Sequence, residues 1–274
     1  MNIPGNIYLC QVNEHVSCGA CCGLYNLPGV SAEAVCCLLN ARTAAFSKVA
    51  REMAAILAFG EAESARLAGR HPLPEFHHCP YLGLIGPRKR TVGCLLHPLS
   101  EENRGIDYRG LSYYGSMTCN MYFCPTHHQL PDDFKQLLKT VAGDWYHYGL
   151  VITETDLLEA FHAQILIRNG GVAIDPEKAA AIGSRPLWEA LFALKRDWPF
   201  ARPERPLAHY FFNDRLYPKP DVDYAMTGKP GSRYDPIFRE LHSVFSSADE
   251  QARAEAYLDL LFDRIAESLA VQRG

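Results

Sequence analysis

The first regular pattern of apolar positions begins after Ser31. Val35, Leu38, Leu39, Phe46, Val49, Met53, Ile56 and Leu57 recur with a period near 3.6 residues, and Ser31 is placed to cap the start. The spacing predicts one helix over residues 32–58. At 100° per residue Arg42 falls inside the apolar stripe, where it marks a kink or a buried guanidinium with an acidic partner. Residues 6–30 read as irregular, broken by Gly19, Gly23, Pro28 and Gly29. Between 70 and 130 the periodicity vanishes. His71-Pro72, Leu73-Pro74, Cys79-Pro80, Gly86-Pro87, His97-Pro98 and Cys124-Pro125 punctuate a loop-rich stretch with room for short strands at 91–96 and 121–123. Arg88-Lys89-Arg90 reads as a solvated loop within it.

Beyond Pro131 the pattern turns helical. Pro131-Asp132-Asp133 puts acids in a first turn, where the helix dipole favours them. Thr153 with Asp156 opens another helix, and Asn169-Gly170-Gly171 stops it. Asp175-Pro176-Glu177 is an N-cap followed by proline at the first helical position. Ser247 and Glu250 spell a capping box for a last helix whose Ala254, Leu258, Leu261, Ile265 and Leu269 share a face. Residues 201–236 are rich in proline and aromatics, including Tyr210, Phe211, Phe212, Tyr217, Tyr224 and Tyr234. The class expected is mainly α: a loop-rich, cysteine-bearing half with short strands, residues 1–130, packed on an α-helical half, residues 131–274. The aromatic segment is expected across that junction.

Composition changes the picture at one point. All ten cysteines, Cys10, Cys18, Cys21, Cys22, Cys36, Cys37, Cys79, Cys94, Cys119 and Cys124, lie in the first 124 residues. Cysteines used only as small core hydrophobes would scatter along the chain. The sequence opens without a basic, then apolar, leader and contains no apolar run of bilayer length. A cytoplasmic protein with no membrane partner is expected, and disulfides are rare there. A net charge of −4 argues against a nucleic-acid partner.

A metal centre accounts for the clustering. In Cys18-Gly19-Ala20-Cys21-Cys22 a C-x-x-C turn lets two thiolates converge, while the adjacent third thiol diverges from its neighbour. Cys79, Cys94, Cys119 and Cys124 lie in further islands bounded by turn residues. These seven are the candidate ligands, most of them at one centre. Cys36 and Cys37, on the first helix, read as ordinary thiols, and Cys10 suits either role. Loops this rich in proline and glycine bury little apolar surface, and a metal tying them together would supply stability. Cys79-Pro80 and Cys124-Pro125 echo the ligand-then-proline step of ferredoxins, and the surplus of thiols over four favours an iron–sulfur cluster of [4Fe–4S] type. His77, His78 and His97 keep zinc with mixed ligands as the alternative. No ligand is expected beyond residue 130, where His147, His162, His209 and His242 are the only histidines.

Cys18-x-x-Cys21-Cys22, Cys79-Pro80-Tyr81-Leu82, Gly93-Cys94-Leu95-Leu96-His97-Pro98 and Cys119 resemble the cysteine-cluster (YkgJ-like) family, over roughly residues 10–125. The resemblance implies a zinc- or iron-chelating protein with several cysteines around one centre. The family's Arg-Pro-x-x-Cys element has its counterpart within 113–124, without Arg-Pro. Flagellin lysine methylases are relatives of that family, so an enzyme stays open. No phosphate loop, H-E-x-x-H or G-x-S-x-G is present, and Asp107, Asp133 and Asp223 are single acids. Two classes remain: a redox or substrate-supporting centre with a small-molecule or protein partner, and a zinc-stapled interaction module.

Overall fold

The computed structural model describes residues 7–208 and 219–271. In chain order its helices are α1 Ala32–Phe46, α2 Met53–Leu67, α3 Gly115–Met121, α4 Pro125–Gln129, α5 Asp132–Val141, α6 Trp145–Ile152, α7 Thr155–Arg168, α8 Pro176–Ala179, α9 Arg185–Asp197, α10 Asp235–Glu240 and α11 Ala248–Val271. Two strands, β1 Leu82–Ile85 and β2 Thr91–Cys94, form one antiparallel hairpin. The fold is mainly α. Among the described residues no helix is long and apolar enough to cross a membrane. The chain groups into two compact units. The first comprises Tyr8–Cys124 and Gly143–Leu150, and the second comprises Pro125–Ala142 and the residues from Val151 on. The sequence placed a single boundary near residue 130; the grouping divides after Cys124 and returns 143–150 to the first unit.

In the first unit the helix expected over 32–58 is two helices. Ser47 ends α1, its hydroxyl donating back to Ala44 O (2.9 Å). Arg51 donates to the carbonyls of Phe46 and Val49, Phe46 O also accepting from Val49 N at 3.0 Å, and its guanidinium lies 4.4 Å from the Phe46 ring centroid. With the last carbonyls of α1 satisfied this way, the chain can turn and α2 runs back. Phe46 meets Phe59 (5.0 Å between centroids), and Met53 and Leu57 fall outside the buried stripe. The same reversal brings Glu63 to Arg42, whose Nε donates to Glu63 Oε2 at 3.1 Å. Arg42 is 1% exposed, so the buried-ion-pair reading of its place in the stripe holds.

The hairpin packs on α1. Gly83 pairs with Gly93. A Cβ on Gly83 would stand 2.6 Å from Thr43 Oγ1, the atom that accepts from Leu84 N at 2.7 Å. Arg88-Lys89-Arg90 lie exposed in the hairpin turn. The strand expected at 91–96 is β2. The one expected at 121–123 is absent, and the chain there leaves α3, a helix with no buried residue.

The second unit is helical. α7 and α9 pack against α11, and Leu157, Phe161, Ile165, Trp188, Leu191, Leu258, Phe262 and Ile265 are all sealed from solvent. Arg168 joins α7 to α11 through Asp259 and Asp263, both at 2.8 Å. Asp175 caps α8 by accepting from Glu177 N and Lys178 N. Ser247 Oγ accepts from Glu250 N (3.2 Å), while the Glu250 carboxylate reaches back to Ser246 N (2.7 Å), one residue earlier than a strict box. The N-cap of α7 is Glu154 rather than Thr153. Glu154 instead meets Lys195 at 2.7 Å in a buried network with Lys219 and Glu240. Of the aromatic segment, residues 209–218, His209 included, lie outside the described residues. Tyr224 stacks on Phe245, and Tyr234 is buried with its hydroxyl donating to Asp259.

Candidate metal centre

Five stretches of the first unit carry the cysteines other than Cys36 and Cys37, and backbone and ring contacts link those stretches. Residues 10–18 fold back on themselves. Asn13 Oδ1 accepts from His15 N and Val16 N, Gln11 bridges Ser17, and Cys18 N donates to Cys10 O at 2.8 Å. The next residue, Gly19, leads into a 3-10 turn over Ala20–Cys22. A Cβ on Gly19 would meet Val92 at 3.0 Å, so glycine lets this turn seat against β2. Cys79 N donates to Cys22 O (2.8 Å), and Cys94, paired with Leu82, closes the hairpin next to Cys79. His77 stacks on Tyr113 (4.3 Å between centroids), and Ser112 Oγ lies 3.4 Å from Cys119 Sγ, which ties the α3 region to the Cys79 loop. Tyr8 meets Phe123 edge-on at 6.4 Å, which sets Cys10 and Cys124 on neighbouring segments.

None of the ten cysteines forms a disulfide. Burial, followed by the charge of neighbouring thiols, pushes Cys10, Cys18 and Cys94 well above the ordinary thiol range, and Cys79 rises to about 11. Cys21 and Cys22 share a hydrogen bond that holds Cys21 down as the acceptor and Cys22 up as the donor. Thiols raised by burial are poor nucleophiles at neutral pH, which weighs against thiol catalysis. A metal would hold them as thiolates and release their protons. Cys37 is exposed on α1, and Cys36 accepts from Asn40 Nδ2 at 3.3 Å. Neither is among the thiols acting on the others.

His78 and His97, two of the candidate histidines, each have a ring nitrogen engaged. His78 Nδ1 donates to Gly23 O (2.7 Å), leaving Nε2 to accept from Arg42 Nη1 (3.1 Å). Burial and that guanidinium hold the ring neutral, down to about 3. His97 Nδ1 accepts from Leu99 N, and His71 Nδ1 meets Asn26 O. Asp107 is clamped by Arg109 through two bonds of 2.9 and 2.7 Å, which hold its carboxyl at about 2. Asp133 accepts from Phe134 N and Ile174 N, and Asp223 from Ala225 N.

Among the described residues no group of three or more His, Cys, Asp or Glu side chains is arranged to hold a metal ion. An iron–sulfur cluster would take its thiolates on several irons rather than on one ion. The donor chemistry fits such a group: thiols dominate, acids are neutralised, and Arg42 Nη2 is a buried donor with no acceptor. Sequence reasoning passed over Arg109, whose charge acts on Cys94 and Cys119; its only signal was proximity to Cys119 in the chain. Compared with models of protein families, with curated proteins and with solved structures, the chain has no match. The likeness to the cysteine-cluster family thus stands on the quoted residues alone.

Proposed function

We propose that this chain is a metal-binding protein whose first unit holds an iron–sulfur cluster of [4Fe–4S] type on its loop cysteines, in a redox or substrate-supporting role. The observation that carries this is that eight cysteines outside disulfides lie on five contacting stretches of loop and short helix in one unit, with a ring nitrogen of His78 and of His97 committed to other partners. Cys18, Cys21, Cys22, Cys79, Cys94, Cys119 and Cys124 are the residues that would supply thiolates. When bound, the cluster would supply one-electron transfer or an open iron for a substrate. Arg42 and Arg109 place positive charge beside Cys79, Cys94 and Cys119, which offsets the charge that gathered thiolates would bring into a buried site.

The visible spectrum of anaerobically prepared protein tests this. A brown solution with broad absorption that bleaches on reduction is expected. A colourless protein carrying stoichiometric zinc would favour a zinc-stapled interaction module instead.

A further inference from the structure

Between the start of α1 and the end of α2 the first unit holds a cleft of about 270 Å3. Leu27, Leu38 and Leu67 give it apolar walls, Ala34 leaves room beside them, and Glu63, Arg66 and Arg70 supply its charge. Leu27 and Leu67 are buried, whereas Ala34, Arg66 and Arg70 are exposed. The cleft is therefore apolar on its inner side and cationic on its outer side.

Its one acid is already shared. Glu63 Oε2 accepts from Arg42 Nε at 3.1 Å, and Glu63 Oε1 accepts from Arg66 Nη1 at 2.7 Å. Among the described residues Arg70 has no acidic partner. The carboxylate of Glu63 thus stands against the guanidiniums of Arg42, Arg66 and Arg70, and positive charge is in surplus. Arg42 shows the shortage of acceptors directly, because its Nη2 is buried with none. On a guanidinium Nε and Nη2 share one edge, which a carboxylate ordinarily takes with both oxygens. Here the second oxygen is held by Arg66.

We infer that this cleft binds a small carboxylate with an unbranched apolar tail. The tail lies against Leu27, Leu38 and Leu67, and the head takes Arg66 and Arg70. Once the head holds Arg66, Glu63 Oε1 is released to accept from Arg42 Nη2 and complete the two-bond pair. Binding thereby gives a buried donor its acceptor, which a neutral or cationic ligand cannot do. Inorganic phosphate would match the charge but cover none of the leucine surface. The exchange needs no metal at the cysteines, so the site stands or falls apart from the iron–sulfur reading.

Calorimetric titration of octanoate into the full-length protein tests this, with octanol, octylamine and inorganic phosphate as comparison probes. One saturable octanoate site per chain is expected, roughly tenfold or more tighter than any of the three. Arg66→Gln combined with Arg70→Gln should weaken octanoate by roughly tenfold or more. Ala34→Met fills the cleft from α1 with a good helix former and should weaken binding without altering charge. All of these replace exposed side chains, so circular dichroism should stay unchanged. In nitrogen-labelled protein the Arg42 Nε resonance should shift on adding octanoate, and Arg66→Gln alone should shift it the same way with no ligand. Absence of saturable binding, equal binding of any comparison probe, or an affinity untouched by the arginine substitutions would overturn the site. An Arg42 resonance unmoved at octanoate saturation would overturn the exchange at Glu63.

Discussion

Arg42 shows how one side chain records the architecture around it. A buried guanidinium needs a partner for its charge, and here Glu63, His78, Cys79 O and Leu82 O engage Nε and Nη1 while Nη2 has no acceptor. Its position in an apolar stripe was enough to foresee the pair. Glu63 could not be named beforehand, because the turn at 47–52 that delivers it depends on Arg51. Glu63→Gln should destabilise the first unit by about 3–5 kcal/mol in denaturant titration, since it strands a buried cation. Arg42→Met with Glu63→Leu should recover most of that loss; equal instability of the double variant would contradict a desolvation origin. His127 offers a second check. Burial, with help from Lys135 and His128, lowers its pKa to about 4. The unfolded chain therefore binds this proton first as pH falls. The second unit should keep this contribution above pH ~6.5 and lose it progressively between ~6.5 and ~4. In His127→Gln, thermal melts across that range should show a shallower decline.

At the scale of elements, boundaries written in local chemistry were legible and those set by distant partners were not. Pro131, Asp175-Pro176 and Ser247/Glu250 each open a helix because caps act within a turn. The break after Phe46 was hidden, since Val49, Met53 and Ile56 continue the apolar period straight through it. α3 gave no signal because a helix with no buried residue has no stripe to read. Gly60, inside α2, is a case where tertiary contact overrides propensity. Alanine there would gain roughly 1 kcal/mol of helix preference, but its Cβ would stand 2.2 Å from the Tyr81 hydroxyl, which donates to Ile56 O. Gly60→Ala should cost about 1–3 kcal/mol net by overpacking. The penalty should shrink in a Tyr81→Phe background, and its persistence there would place the strain elsewhere.

Across the whole molecule, the confinement of cysteine to one unit was readable from composition. How the cysteine-bearing stretches meet was not. It depends on residues 10–18 folding back on themselves and on Tyr8 reaching Phe123, contacts with no local sequence pattern. The second unit has extensive helical cores of its own, while the cysteine-bearing stretches at 8–30 and 70–124 hold the small hairpin, α3 and short 3-10 turns. Metal removal should therefore act unevenly. Hydrogen exchange after anaerobic chelation should show those loops losing protection while α7, α9 and α11 keep theirs; uniform loss would contradict a local staple. X-ray absorption at the iron and zinc edges of anaerobically prepared full-length protein tests the central claim most directly. The account predicts an iron edge with a sulfur shell and a second shell of iron neighbours. A zinc edge alone, with four sulfur ligands and no iron, would contradict it.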